Sequence, residues 1–186
     1  DGEQALLIDA VTMVARDADD LVVINPSFEA SGAVPGTGPL TNMAGWTGTG
    51  TFGVDVAGGV YADNGNIPDQ DLVAFIQGDG TLAQTVSGLI TGQQYVVSFA
   101  YNARAGELPH LRAQAGTNVL LDTDVMEVGP GNPFHTATAS FTATAGEVLL
   151  TFTQTKPGAD TVLLDNVRVR GSAQTPLPPV RVDPLY

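Results

Sequence analysis

Six polar or aromatic side chains have the chemistry to bind a hydroxyl-rich ligand: Trp46, Tyr61, Asn102, Arg104, Arg112 and Gln114. An aromatic ring offers a flat apolar face, and a guanidinium donates paired hydrogen bonds to oxygen atoms. Asn102 and Arg104 continue the polar face of a strand that includes Ser98. We expect Arg112 and Gln114 to share that face of the sheet. The alternative is an ordinary solvated sheet face without a ligand.

The two aromatic candidates each allow two interpretations. Trp46 is the only Trp, and it either stacks on a ligand or plugs the end of a sheet sandwich, since Trp is usually well buried. Tyr61 begins a segment, residues 61–71, in which acids and amides are concentrated. This segment either recognises hydroxyl groups or a cation, or it is an ordered turn before a strand.

Residues that support catalysis are few. The absence of Cys excludes thiolate nucleophiles, thiolate metal sites and disulfides. The sequence has no Gly-x-Ser-x-Gly motif, no phosphate-binding glycine loop and no His-Glu-x-x-His motif. Glu107 and Glu127 could form the carboxylate pair of a glycosidase, but nothing in the sequence places them together. His110 and His135 lack a carboxylate at metal-ligand spacing. We therefore predict a protein that is not an enzyme.

The charge balance limits the partners. The 20 acidic residues outnumber the 7 Lys and Arg residues, which gives a net charge of −13. Such a chain repels phosphates, so we expect no nucleic-acid partner, whereas cation binding is compatible with this charge. No apolar run approaches the roughly 20 residues that span a bilayer, so we expect no membrane insertion.

The composition favours strands over helices. The chain has 22 Gly and 12 Pro, Lys occurs only once, and Thr and Val are abundant. Residues 95–101 alternate between apolar and polar or small side chains, which predicts a strand with one buried face. Residues 30–71 are expected to be largely irregular. The other predicted strands lie at 21–24, 72–77, 82–86, 111–115, 136–141, 148–153 and 162–169. Many short strands separated by turns are typical of a two-sheet sandwich.

The chain divides into an N-terminal extension (1–20), a module (21–170) and a Pro-rich tail or linker (171–186). The apolar sequence at residues 6–11, Leu-Leu-Ile-Asp-Ala-Val, is similar to Val-Leu-Leu-Asp-Asn-Val at 162–167. Either the similarity arose by chance, or residues 5–16 are the closing strand of a preceding, similar module. Such a strand needs a sheet to join, in this chain or in a neighbouring one.

Several short motifs together resemble the galactose-binding-like β-jelly-roll superfamily. Their order is Asn25-Pro26-Ser27-Phe28-Glu29, Gly45-Trp46, Gln84-Thr85-Val86-Ser87-Gly88-Leu89, Gly92-Gln93-Gln94-Tyr95-Val96-Val97-Ser98-Phe99 and Leu163-Leu164-Asp165-Asn166-Val167. The resemblance covers about residues 21–170 and is, more narrowly, to secreted bacterial carbohydrate-binding modules. It implies an all-β jelly roll of two antiparallel sheets whose first and last strands lie close together.

The resemblance also implies a structural calcium ion near those strands. Glu29 and Asp165 occupy the matching positions in the opening and closing motifs. Asn25 and backbone carbonyls would complete the shell of about six to eight oxygens that Ca²⁺ prefers. The alternative is that Glu29 accepts backbone N–H groups and Asp165 caps a turn.

The resemblance therefore predicts a non-catalytic glycan-binding module, stabilised by calcium, of a larger secreted or cell-surface protein. The alternative is a structural subunit or tandem repeat of an extracellular fibre, sheath or adhesin. In that case residues 5–16 would be donated as a strand to neighbouring modules or to copies of the same chain.

Overall fold

The computed structural model describes residues 20–21, 23–32 and 41–172, and in this part the chain is almost entirely β-structure. The strands are β1 (Asp20–Leu21), β2 (Thr47–Val56), β3 (Leu72–Ser87), β4 (Gln94–Ala103), β5 (His110–Ala115), β6 (Asn118–Asp124), β7 (His135–Thr142), β8 (Glu147–Gln154) and β9 (Thr161–Gly171). A 3-10 turn at Glu29–Ser31 is the only helical element of the described residues. None of their helices is long and apolar enough to span a membrane. The predicted all-β class is confirmed.

The strands form two antiparallel layers that share β2 and β3. In the first layer β9 lies between β3 and β4, and β7 follows β4 at the edge. In the second layer β8 lies between β3 and β5, and β6 follows β5 at the edge. β1 pairs with the end of β9, with Asp20 opposite Arg170, so the first and last strands are adjacent. This arrangement is the predicted jelly-roll sandwich of two antiparallel sheets.

The long strand β3 passes from one layer to the other. Its first half pairs with β9, with Ala74 opposite Leu164, and its second half pairs with β8 from Gly80 onward. β2 pairs with both halves of β3, and its register shifts between Thr49 and Thr51, where β3 passes from one layer to the other. Glycine is required there, because Gly50 has a φ of 73° and an added Cβ would lie 2.6 Å from the Asp79 carbonyl oxygen.

Apolar side chains fill two separate regions. The main core lies between the layers and receives the inward-facing residues of β4, such as Val97 and Phe99. A second cluster covers part of the outer face of the first layer, and it consists of Ala62, Val73, Phe75, Ala100, Phe134 and Leu163. The connection between β2 and β3, residues 57–71, supplies Ala62 to this cluster, and we call it the covering loop. One half of that sheet face is therefore covered and the other half is open.

Several predicted boundaries are wrong. β2 lies within residues 30–71, which were expected to be irregular, and β6 was not predicted. The strands predicted at 72–77 and 82–86 are one continuous strand, while residues 23–24 lie outside β1. Residues 5–16 and most of the 171–186 tail lie outside the described residues, so their roles stay predictions.

Candidate functional site

The six predicted ligand residues do not form one site, because β4 and β5 belong to different layers. Arg112 and Gln114 lie on the outer face of the second layer, opposite Thr153 and Thr151 of β8. The prediction that they share a face with Ser98 is therefore wrong. A strand's neighbours in a jelly roll are set by the topology and not by its position in the sequence.

Trp46 lies in the core and not on the surface. Only 5 % of the residue is exposed. The centroid of its ring lies 5.3 Å from that of Phe28 and 6.2 Å from that of Phe152. The indole Nε1 donates a hydrogen bond to the carbonyl oxygen of Asn25 at 3.1 Å. Neither ring face is open to a ligand, so the prediction that Trp46 binds ligand is wrong, and the alternative of a core plug holds.

Asn102 is also buried and binds other parts of the chain. Its amide nitrogen donates to the carbonyl oxygen of Asn64 at 3.0 Å, and its amide oxygen accepts from the backbone N–H of Val128 at 3.1 Å. The residue is fully buried, so it cannot contact a ligand. Asn102 joins the covering loop to the connection between β6 and β7, which corrects its predicted role.

Tyr61 and Arg104 lie close together, but their binding groups are largely occupied. The Tyr61 ring stacks on Phe75 with 3.9 Å between centroids, and the Arg104 guanidinium carbon lies 5.7 Å over the Tyr61 ring. Arg104 donates to Asp63 at 3.1 Å and to Glu107 at 3.4 Å. Arg104 therefore anchors the covering loop, and the prediction that it lines an open groove is wrong.

Glu107 and Glu127, which the sequence could not place together, both contact residues of the turn after β4. Glu127 accepts the backbone N–H of Gly106 at 3.0 Å, and Glu107 contacts Arg104. Burial raises the pKa of Glu107, while hydrogen bonds from Thr161 and the Arg104 charge act against the rise. The two carboxylates hold this turn in place.

An open groove of about 250 Å³ lies on the outer face of the first layer, where the covering loop ends. We call it the outer groove, and its lining residues are Pro68, Ser98, Phe99, Ala100, Thr136, Ala137, Thr138 and Asn166. Ser98 of β4 lies opposite Arg168 of β9 on one side and Thr138 of β7 on the other. Hydroxyl, amide and guanidinium groups therefore stand side by side on three neighbouring strands.

Asn166 produces the irregularity that shapes the outer groove. It adopts a positive φ of 51°, and the β4–β9 register shifts between Ser98 and Ala100 next to it. Such a bulge re-aims side chains, and here the Asn166 amide oxygen accepts from Arg168 Nε at 2.6 Å. Among these residues, sequence reasoning identified only Ser98. The alternation of Thr136, Thr138 and Ser140 with alanines was the signal that could have revealed the polar face of β7.

The polar groups of the second layer, by contrast, satisfy one another. Arg112 contacts Asp122 at 3.0 Å, and His110 lies 2.8 Å from both Asp122 and Asp124. Hydrogen bonds to Asp122 and Asp124 raise the pKa of His110. Acids and bases on this face compensate each other, which leaves few unused donors for a ligand.

Glu29 and Asp165 converge on the end of the covering loop. One Glu29 carboxylate oxygen accepts the backbone N–H groups of Asp71 at 3.0 Å and Leu72 at 2.7 Å. Asp165 accepts those of Asp69 at 2.8 Å and of Asn166. The predicted proximity of Glu29 and Asp165 is consistent with these contacts, which lie two residues apart in the covering loop, and with the effect of the Glu29 charge on Asp165. The Asn25 side chain instead closes its own turn by contacts to Ala30 and Ser31.

Backbone strain is concentrated around these two carboxylates. Four non-glycine residues have a positive φ in the described part of the chain: Asn25, Phe28, Gln70 and Asn166. All four are within a few residues of Glu29, of Asp165 or of the N–H groups that bind them. Strain of this kind costs about 1–3 kcal/mol per residue and persists only where the surroundings enforce it.

Asp165 is fully buried, and burial is the main reason that its pKa rises from 3.8 to about 7. The nearby charges of Asp69 and Glu29 raise the pKa further, while the two backbone N–H groups oppose the rise. A cation at this point would remove the cost of burying the charge. Hard carboxylate oxygens fit Ca²⁺, but in the described residues no three His, Cys, Asp or Glu side chains converge on one point. A calcium ion here would need backbone carbonyls as further ligands.

Comparison with known proteins shows which of them have this architecture. No protein-family model matches the sequence, and the search of curated proteins gave no match. Solved structures do match over most of the chain. The chain has a β-jelly-roll fold.

The jelly-roll proteins that match include binding domains and enzymes. The xylan-binding domain CBM22-1 of Xyn10C from Paenibacillus barcinonensis is 16 % identical, with a TM-score of 0.59, over 87 % of this chain and 100 % of that one. TmCBM61 in complex with β-1,4-galactotriose is 14 % identical, with a TM-score of 0.51, over 83 % and 100 %. The Stig cyclase Fisc from Fischerella sp. TAU is 18 % identical, with a TM-score of 0.60, over 84 % and 98 %. At these identities the likeness shows the jelly-roll fold alone.

Proposed function

We propose that this jelly roll is a non-catalytic module that binds a glycan in the outer groove. The observation that carries the proposal is the row of Thr138, Ser98 and Arg168 on three adjacent strands. Directional hydrogen bonds from side chains on rigid strands discriminate between hydroxyl arrangements. Pro68, which is exposed, adds apolar surface for the C–H face of a sugar ring.

The jelly-roll neighbours support this proposal in a limited way. A xylan-binding domain and a galactotriose complex have the same fold as this chain. Cyclases have it too, so an enzyme needs separate consideration. Two carboxyls in the part described here have a raised pKa near other acids, Glu107 and Asp165. Glu107 contacts Arg104, and Asp165 is fully buried and accepts backbone N–H groups, so neither carboxyl lines the outer groove. We therefore assign binding and not catalysis to this jelly roll.

Replacing Thr138 by Tyr should weaken glycan binding without unfolding the chain. Thr138 is exposed and lines the outer groove, so a phenol ring there fills the space that a sugar would occupy. We expect the affinity for the best ligand of a glycan array to fall at least tenfold, or about 1.4 kcal/mol. The free energy of unfolding should change by less than about 0.5 kcal/mol, as for most surface substitutions.

The matched control is Thr85→Tyr, because Thr85 is an exposed threonine that lies on β3 opposite Leu149 of β8, in the second layer. This variant should keep full affinity. Equal losses in both variants, or none in Thr138→Tyr, would show that the outer groove is not the binding site. If the chain binds no glycan on the array, the proposed function is rejected. If the chain cleaves a bound glycan into smaller products, the non-catalytic assignment is rejected.

We also propose that calcium stabilises the module at Glu29 and Asp165. Ca²⁺ that binds only the folded state at a hundredfold excess over its Kd adds about 2.7 kcal/mol to the free energy of unfolding. The melting temperature should therefore rise on adding Ca²⁺ and fall on adding a chelator. The rise should be absent in Glu29→Gln and retained in Asp79→Asn, since Asp79 is an exposed acid at the β3 crossing. An identical melting curve in calcium and in chelator would contradict the proposal.

Finally, we propose that the module belongs to a larger secreted or cell-surface protein.

The alternative function, assembly through residues 5–16, gains support from one feature of the described fold. β7 is hydrogen-bonded to β4 on one side, and its other edge has no paired strand among the described residues. Such an edge could accept a donated strand.

A further inference from the structure

The chemical class of the glycan follows from the charge at the outer groove. Arg168 lies beside Ser98 in a chain whose net charge is −13, and 39 % of its side chain is exposed. A neutral sugar would need only the hydroxyl groups and the amide of the lining. A fixed guanidinium at that position indicates a ligand with a negative group.

The contacts of Arg168 orient the guanidinium without using all of it. Nε donates to the Asn166 amide oxygen at 2.6 Å, which fixes the plane of the group. Asp69 forms an ion pair with Nη2 at 3.7 Å, a separation that is longer than a hydrogen bond. In the part of the chain that the structure describes, these two are the contacts of Arg168. Nη1 and Nη2 make no hydrogen bond within the described residues, so a ligand carboxylate that displaces the long Asp69 contact can accept two parallel hydrogen bonds from them.

The surrounding acids limit how much negative charge the ligand carries. Asp69 and the buried Asp165 lie near the outer groove, and the whole chain is strongly acidic. A polyanion would meet repulsion along its length, whereas one carboxylate can be matched by one arginine. We propose that the outer groove recognises a hexuronic acid residue, with its carboxylate on Arg168 and its hydroxyls on Ser98 and Thr138. This inference rests on the proposed glycan-binding function.

The experiment is an NMR titration of the whole chain with matched pairs of small sugars. The probes are the methyl glycosides of glucose, galactose and mannose, and the corresponding methyl hexuronides. At least one hexuronide should bind about tenfold more tightly than its neutral partner, and the resonances of Ser98, Asn166 and the Arg168 Nε–H should shift. If each hexuronide binds no better than its neutral partner, or if none binds, the inference is overturned.

The matched variants are Arg168→Gln and Arg112→Gln, which change the net charge equally. Arg112 lies in the second layer and contacts Asp122, so its variant should keep the preference for the acidic sugar. Arg168→Gln should remove the preference, so that the acidic sugar and its neutral partner bind with equal affinity. Equal weakening in both variants would show a general charge effect and overturn the assignment. Glycan-array binding of neutral sugars alone would overturn the hexuronic acid but leave the proposed function standing.

Discussion

In calcium-free solution, the wild-type chain should lose about 4 kcal/mol of unfolding free energy between pH 3 and pH 8 relative to an Asp165→Asn variant. The cause is the rise in the Asp165 pKa from 3.8 to about 7 on folding. Below about pH 3 both the folded and the unfolded state hold the proton, so there is no penalty. As the pH rises, the unfolded chain ionises first while the folded state keeps its proton up to about pH 7. Stability therefore falls through this window and levels off above it.

The measurement is urea unfolding at several pH values with chelator present. Asp165→Asn loses part of the bonding to Asp69 and Asn166, so we expect it to be the less stable protein at pH 4. Its disadvantage should shrink or reverse by pH 8. Asp79→Asn serves as the charge control and should run parallel to the wild type. A constant difference between wild type and Asp165→Asn across the range would contradict the buried, protonated carboxyl.

Replacing Trp46 by Ala should lower the unfolding free energy by about 3–5 kcal/mol, as expected for a large side chain removed from a core. The cavity would separate Phe28 from Phe152, and the Asn25 carbonyl oxygen would lose its indole donor. Trp46→Phe keeps most of the packing and loses the hydrogen bond, so it should cost roughly 1 kcal/mol for that bond plus a smaller packing loss.

Glycan affinity separates the core role of Trp46 from the ligand-stacking role that the sequence suggested. Trp46→Phe should bind glycan as the wild type does, because Trp46 is not among the lining residues of the outer groove. Since Trp46 is the only Trp, its fluorescence should also report a buried ring that is insensitive to added glycan. Strong quenching by a bound sugar would contradict the structure.

Much of the fold was predictable because local signals agreed with it. The alternation in β4 and the paired opening and closing motifs are both properties of short segments. β2 was missed for a physical reason: Thr47, Thr49 and Thr51 are exposed, so its first half has no apolar alternation. Its strand character comes from pairing with β3, which a local pattern does not contain.

The binding residues were harder to predict, since they depend on which strands become neighbours. Arg104 and Arg112 appear equivalent in the sequence. In the structure Arg104 anchors the covering loop, whereas Arg112 lies in the second layer. The outer groove combines β4, β7 and β9 with Pro68 of the covering loop. The bulge at Asn166 brings the Asn166 amide into the lining and lets it bind the Arg168 Nε, and a bulge has no reliable sequence signature when the residue is not glycine.

The central position of β9 has a consequence for synthesis of the chain on the ribosome. β9 is the last described strand, yet it separates β3 from β4. All strands of the second layer are complete once residue 154 has been made, whereas the first layer lacks its middle strand until residue 171. A nascent chain can thus form the second layer early. The apolar inner face of this layer then stays uncovered until the first layer forms. The non-local pairing that follows is intrinsically slow, so folding of the first layer should be the rate-limiting event.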